Sequence, residues 1–175
     1  MARRHSSSTS AALASGRRLP VLALRRDGRD ATLLQFLLGA STRIELDVVR
    51  PDGLVRTPLR WPADARTVPL ALCVVVRDRP GSVKAVDQLV RQVGEVPVVA
   101  VVDSAAGDDD EVPATEDHAL VDMLLSVGVE AAVLSDGLTA AVLEHVVIAA
   151  IDRRDRGVLH LDESELLVEE GRLTV

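Results

Sequence analysis

The stretch that decides the fold is "LALCVVVRDRPGSVKAVDQLVRQVGEVPVVAVVDS", residues 70–104. It opens with an unbroken apolar run at 70–76 and closes with a second at 96–102, each as long as a strand. Between them, Ser82 is a good N-cap for a helix whose apolar residues share one face: Val83, Val86, Leu89, Val90 and Val93. A strand, a helix and a strand of this kind predict two parallel strands that are buried on both faces.

The alternation of strand and helix continues on both sides of this stretch. Further strands are predicted at 19–24, 43–49 and 129–134, and further helices at 31–39, 115–128 and 139–154. The pattern predicts a doubly wound α/β domain with a five-stranded parallel sheet in the order 2-1-3-4-5.

Three segments depart from this alternation. The segment 50–69 contains four prolines, which leave no room for a long helix. The tail 157–175 has two short alternating apolar runs around "EEG", which predict a hairpin or an added edge strand. Residues 1–18 are predicted to be a disordered leader. The domain proper is therefore expected at 19–156, with 157–175 as an extension.

Composition excludes several classes of function. The net charge is -7 and the pI is near 5.1, which disfavours binding to nucleic acid or to anionic membrane. Cys73 is the only cysteine, which excludes an intramolecular disulfide and a cysteine-based zinc site, and its apolar surroundings predict a buried thiol. Without an apolar run of membrane-spanning length or a proper signal sequence, the chain is predicted to be cytoplasmic.

No motif of a common enzyme class occurs in the sequence. A Walker loop, a G-x-S-x-G elbow and a G-x-G-x-x-G loop are all missing, and the four histidines show no ligand spacing. We therefore predict no catalytic residue, no metal site and no cofactor.

The segment "LLSVGVEAAVLSDGLTAAVLEHVVIAAIDRR" (124–154) resembles the end of a response-regulator receiver domain. In that family a helix ends in Ala-Gly-Ala, and a strand, a lysine and a capped final helix with basic residues follow. The resemblance extends back over about residues 19–156 and implies a flavodoxin-like fold. It also implies that the Pro-rich segment 50–69 replaces the second helix of the family.

The resemblance implies that the metal-binding acids of the family are missing. Two acidic residues should end the first strand and hold Mg²⁺, but Arg25 and Arg26 occupy those places, and only Asp27 beyond them is acidic. Arginine is permanently cationic and has no acceptor atom, so it cannot ligate Mg²⁺.

The phospho-acceptor aspartate of the family lies four residues before a proline, and Val76 holds that place relative to Pro80. Asp78 lies two residues further on, which is about 6–7 Å at the rise of a strand. This offset is too large for Asp78 to accept a phosphoryl group by in-line transfer in the place of the family's aspartate.

The last two polar positions of the family pocket are also replaced. The hydroxyl residue falls on Val102, with Asp103 just past it, and the lysine falls on Ser135. Together these substitutions predict a degenerate pocket, in which Asp27, Asp78 and Asp103 form salt bridges with neighbouring arginines. Two alternatives stay open: a divalent cation held by the three aspartates, and a small anion held by Arg25 or Arg26.

The predicted function is that of a phosphorylation-independent pseudo-receiver, a regulatory module that acts through protein contacts and not as an enzyme. By resemblance, the face from the fourth to the fifth helix of the family is the surface for a protein partner or a homodimer, and its candidate residues are Leu120, Leu124, Ala140, His145, Ile148 and Ala149. Alternatively, small residues of the last helix pack under the tail. The rival functions are a small-anion or nucleotide sensor at the strand ends, and a residual acceptor at Asp78.

Overall fold

The structure is a computed structural model. It describes residues 13–24, 28–49, 69–77, 81–103 and 114–170, with only the backbone given for 114–116 and 157–170. Statements about the structure below refer to these residues.

Five parallel strands form one sheet. They are β1 (Leu19–Leu24), β2 (Ile44–Val49), β3 (Ala71–Val76), β4 (Val98–Val102) and β5 (Ala131–Leu134), and their order is β2-β1-β3-β4-β5. All four pairings are parallel. The predicted doubly wound sheet and its strand order are therefore confirmed.

Two layers of helix cover the sheet. The helices are α1 (Gly28–Leu38), α2 (Ser82–Val93), α3 (Ala114–Ser126) and α4 (Ala140–Glu170). Buried residues of α1 and α4 pack on one face of the sheet, and those of α2 and α3 pack on the other. In this core Cys73 is fully buried, and burial raises the pKa of its thiol to about 12. None of the helices in the described ranges is long and apolar enough to cross a membrane.

The register of the sheet determines which residues meet at its carboxyl edge. Val76 of β3 pairs with Val102 of β4, and Val102 pairs with Leu134 of β5. The backbone pairing continues one residue further, because Asp103 N donates to Val76 O at 2.8 Å and Ser135 N donates to Val102 O at 2.7 Å. The residues that follow the three strands therefore emerge side by side.

The C-terminal hairpin prediction is wrong. Helix α4 runs without a break from Ala140 to Glu170, so the backbone of 157–170 is helical. Short apolar runs fit the period of a strand as well as that of a helix, and Leu and Glu in this segment favour a helix. Gly157 costs only about 1 kcal/mol relative to alanine inside a helix, which does not end α4.

Other predictions about the flanking segments fall partly outside the described residues. The prediction that segment 50–69 replaces a helix concerns residues of which only Pro69 is described, and the disordered leader concerns mainly 1–12. Within 13–18, Leu13 lies in a short helical turn and packs against the core on the α1 and α4 face. The predicted division into residues 1–18, 19–156 and 157–175 remains a prediction.

Candidate functional site

Two positions of the predicted degenerate pocket are occupied by core residues. Val76 and Val102 are fully buried and belong to the apolar cluster beneath α2 and α3. Neither offers a polar atom at the end of its strand. The predicted pocket residues Arg25, Arg26, Asp27 and Asp78 lie outside the described residues, and so does the anion site predicted at the first two.

The polar centre of the carboxyl edge is a group of four residues, here called the Arg77 cluster: Asp30, Arg77, Asp103 and Ser135. Arg77 Nε donates to Asp103 Oδ2 at 3.0 Å, and Arg77 Nη2 lies 2.7 Å from Asp30 Oδ1. The second contact is an ion pair at close distance and not an aligned hydrogen bond. Ser135 Oγ donates to Asp103 Oδ1 at 3.3 Å. One guanidinium thus joins carboxylates from two different elements.

The Arg77 cluster is largely shielded from water. The side chain of Asp30 is 1% exposed, that of Asp103 is 7% exposed and that of Arg77 is 15% exposed. At the margin, Arg29 Nε lies 3.7 Å from Asp103 Oδ2, and this arginine is 61% exposed. Solvent screens the Arg29 contact, whereas the two Arg77 contacts act in a medium of lower dielectric constant.

Each member of the Arg77 cluster is positioned by the end of a regular element. Asp30 lies in the first turn of α1, where the helix dipole favours a negative charge. Arg77, Asp103 and Ser135 are the first residues after β3, β4 and β5. The cluster therefore links one helix with three neighbouring strands at the edge of the sheet where ligands bind in folds of this kind.

The described residues at this edge do not fit a magnesium ion. Mg²⁺ needs carboxylate oxygens that are open to it, and the carboxylates of Asp30 and Asp103 contact a guanidinium. Arg77 adds a positive charge and no acceptor atom. Within the described ranges, no group of three or more His, Cys, Asp or Glu residues is arranged to hold a metal ion.

Sequence reasoning found part of this cluster. It predicted that Asp103 pairs with a neighbouring arginine, and Arg77 is that arginine. It missed Asp30, because the first helix was predicted to begin at residue 31, whereas α1 begins at Gly28. The available signal was an acidic residue just before the apolar helical pattern, which is typical of a first helical turn.

The predicted partner surface needs correction. Leu120, Leu124 and Ile148 are 2%, 0% and 7% exposed, so they belong to the core and cannot contact a partner. The leucines pack beneath α3 in the cluster with Val76, and Ile148 packs beneath α4. Ala140 and His145 are exposed, and Ala149 is partly exposed. Residues 157–170 of the tail do not fold back over these residues, since their backbone continues α4 to Glu170.

Helices α3 and α4 also expose large apolar side chains that the sequence prediction did not name. Met123 and Leu125 on α3 are 47% and 45% exposed, and Val142 on α4 is 50% exposed. Together with Ala140 and His145 we call them the α3–α4 surface; α3 and α4 pack on opposite faces of the sheet, and both contact the edge strand β5. Elsewhere, Phe36 on α1 is 78% exposed.

Comparison with known proteins identifies the class of fold. NtrX from Brucella abortus, solved in complex with ADP, is similar to this chain with a TM-score of 0.51 and 14% sequence identity, over 90% of this chain and 31% of that chain. A CheY-like response regulator from Mesorhizobium loti is similar with a TM-score of 0.44 and 22% identity, over 77% of this chain and 99% of that chain. No family model and no curated protein matches.

The fold of this chain is therefore receiver-like, as the sequence predicted. At these levels of identity the likeness concerns the fold alone. The chemistry of the carboxyl edge has to be argued from the residues of this chain.

Proposed function

We propose that this chain is a phosphorylation-independent pseudo-receiver, a regulatory module that acts by binding another protein. The observation that carries the proposal is the Arg77 cluster. A guanidinium lies between Asp30 and Asp103 at the edge of the sheet where a receiver would bind its metal ion and its phosphoryl group.

The chemistry of phosphoryl transfer supports this proposal. Transfer to a carboxylate needs an acceptor in line with the phosphoryl donor and a divalent cation that neutralises the developing charge. The place of the acceptor is held by Val76, which is fully buried. The two described carboxylates at the edge are engaged by Arg77, so they serve as structural charges and not as reactive ones.

A rigid receiver-like body that lacks this chemistry can still present a surface. The α3–α4 surface combines exposed apolar side chains with a largely buried scaffold beneath them. Exposed apolar side chains on a rigid domain are typical of protein-binding sites. We therefore assign partner binding to this surface, with a second copy of the chain as one candidate partner.

Phosphorylation gives the direct test. Incubation with acetyl phosphate and Mg²⁺, followed by intact-mass measurement, is expected to leave the mass unchanged, because no acceptor lies at the aligned position. A phosphoryl adduct that persists in the wild type and is lost in Asp78→Asn would contradict the proposal and establish a residual acceptor at Asp78.

Partner binding is tested with a matched pair of variants. The tagged chain is expected to retain a protein from extracts of its native organism, and Val142→Asp is expected to weaken that binding about tenfold or more, since it places a charge in an apolar contact. Phe36→Asp, an equally polar change at an exposed apolar site on α1, should bind as the wild type does. Equal binding by all three proteins would rule out the α3–α4 surface as the contact.

A further inference from the structure

We infer that Arg77 is a built-in cation, which holds Asp30 and Asp103 together in the way that a bound metal ion would, and whose removal turns these carboxylates into a divalent-cation site. The inference deepens the proposed function, because it explains why such a module needs no metal. Its test measures cation binding and stability, so its failure is distinguishable from a failure of the phosphorylation or partner experiments.

The guanidinium of Arg77 contacts both carboxylates. Its Nε contacts Asp103 at 3.0 Å and its Nη2 contacts Asp30 at 2.7 Å, so different nitrogens of one planar group meet different carboxylates. Arginine stays charged at every relevant pH and presents donors in a fixed fork. Two acidic groups, one from α1 and one from the end of β4, thus contact the same guanidinium.

The burial of the two carboxylates makes a nearby cation an electrostatic requirement. Two carboxylates that are 1% and 7% exposed repel each other and are costly to desolvate unless a cation lies between them. A divalent ion satisfies this requirement in oxygen-rich sites. Here the side chain of Arg77, itself only 15% exposed, satisfies it from within the chain.

The Arg77 guanidinium also helps to position Asp103. Asp103 is bound by Arg77, by Ser135 Oγ at 3.3 Å and, through its backbone N–H, by Val76 O at 2.8 Å. It is the first residue after β4, so these contacts set where the connection to α3 begins. Because the positive charge is covalently part of the chain, the start of this connection keeps one arrangement whether metal ions are present or not.

The test is a gain of cation binding on removal of the arginine. Thermal unfolding of Arg77→Ala and of Arg77→Met, which keeps an aliphatic stem, is measured with Mg²⁺, Ca²⁺ or Mn²⁺ and with NaCl of equal ionic strength. The melting temperature of both variants is expected to rise by about 3–5 °C at a cation concentration ten times the dissociation constant. The wild type and Arg77→Lys, which retain a resident charge, are expected to show no divalent-specific rise.

Two controls separate a cation site from a general effect of charge. Arg77→Ala combined with Asp103→Asn should lose the divalent response, because one ligand is gone. Arg91→Ala, which removes an exposed pair with Asp87, should show none. If an Arg77 variant does not fold without cations, recovery of its far-UV circular dichroism on adding them is the expected result. No recovery, no rise in either Arg77 variant, or an equal rise in the wild type would overturn the inference.

Discussion

Arg77→Ala is expected to lower the free energy of unfolding by about 3–5 kcal/mol, measured by urea denaturation in the presence of a chelator. The reason is that the change leaves the buried carboxylate of Asp30 without its 2.7 Å ion-pair contact and deprives Asp103 of a hydrogen bond. A buried charge that loses an ion-pair contact keeps its desolvation cost, which is much larger than the net value of an exposed pair.

The control is another arginine that makes an ion pair in a different environment. Arg91 Nε lies 2.9 Å from Asp87 Oδ1, but its side chain is 77% exposed. Hydrogen bonding to Asp87 raises the pKa of Arg91, yet water screens this contact, and Arg91→Ala is expected to cost far less stability than Arg77→Ala. Similar losses for the two variants would show that the Arg77 cluster does not stabilise the fold.

A double-mutant cycle shows whether the loss comes from the ion pair itself. Asp30→Ala removes the negative partner, and the double variant Asp30→Ala with Arg77→Ala removes both. If the two charges are coupled as the 2.7 Å contact indicates, the double variant is expected to lose less stability than the sum of the single variants. Additive losses would mean that Arg77 acts mainly through its other contacts.

The fold was predictable because its central strands carry an unambiguous signal. The runs at 70–76 and 96–102 are apolar at every position or nearly so, and parallel strands buried on both faces need that pattern. The tail gave no such signal. Its short apolar runs fit the two-residue period of a strand and the 3.6-residue period of a helix equally well. The segment is helical because it extends α4, and extending an existing helix costs less than starting a new one.

For the Arg77 cluster, the sequence predicted the kind of interaction, a salt bridge between aspartate and arginine, but not all of the residues that make it. Strand ends place Arg77, Asp103 and Ser135 at one edge, because parallel strands in register bring their ends together. Asp30 reaches Arg77 only because α1 begins at Gly28, which places Asp30 in the first turn of the helix. The predicted helix began one turn later, at residue 31, and so left Asp30 outside it. Ion pairing between particular side chains therefore follows from tertiary structure and not from local pattern.

The partner-surface prediction failed for a different physical reason. Leu120 and Leu124 are spaced four residues apart in the predicted helix 115–128, and apolar residues at this spacing form a stripe that faces the core. The family resemblance assigned the same residues to an exposed face. The periodicity of this chain's own residues is the stronger physical constraint, since burying that stripe is what holds α3 on the sheet.

Leu124→Ala therefore provides the second large effect, with an expected loss of about 2–5 kcal/mol in the free energy of unfolding. Leu124 is 0% exposed, so truncation removes buried apolar area and leaves a cavity between α3 and the sheet. The measurement is urea denaturation followed by far-UV circular dichroism.

The next residue along α3 is a control of the same type. Leu125 is 45% exposed, and Leu125→Ala is expected to cost about 1 kcal/mol or less, because roughly half of its side chain already contacts water. The order of the two losses tests the phase of α3 on the sheet. If Leu125→Ala cost more than Leu124→Ala, the helix would be rotated, Leu124 would return to the exposed face, and the α3–α4 surface as defined above would be wrong.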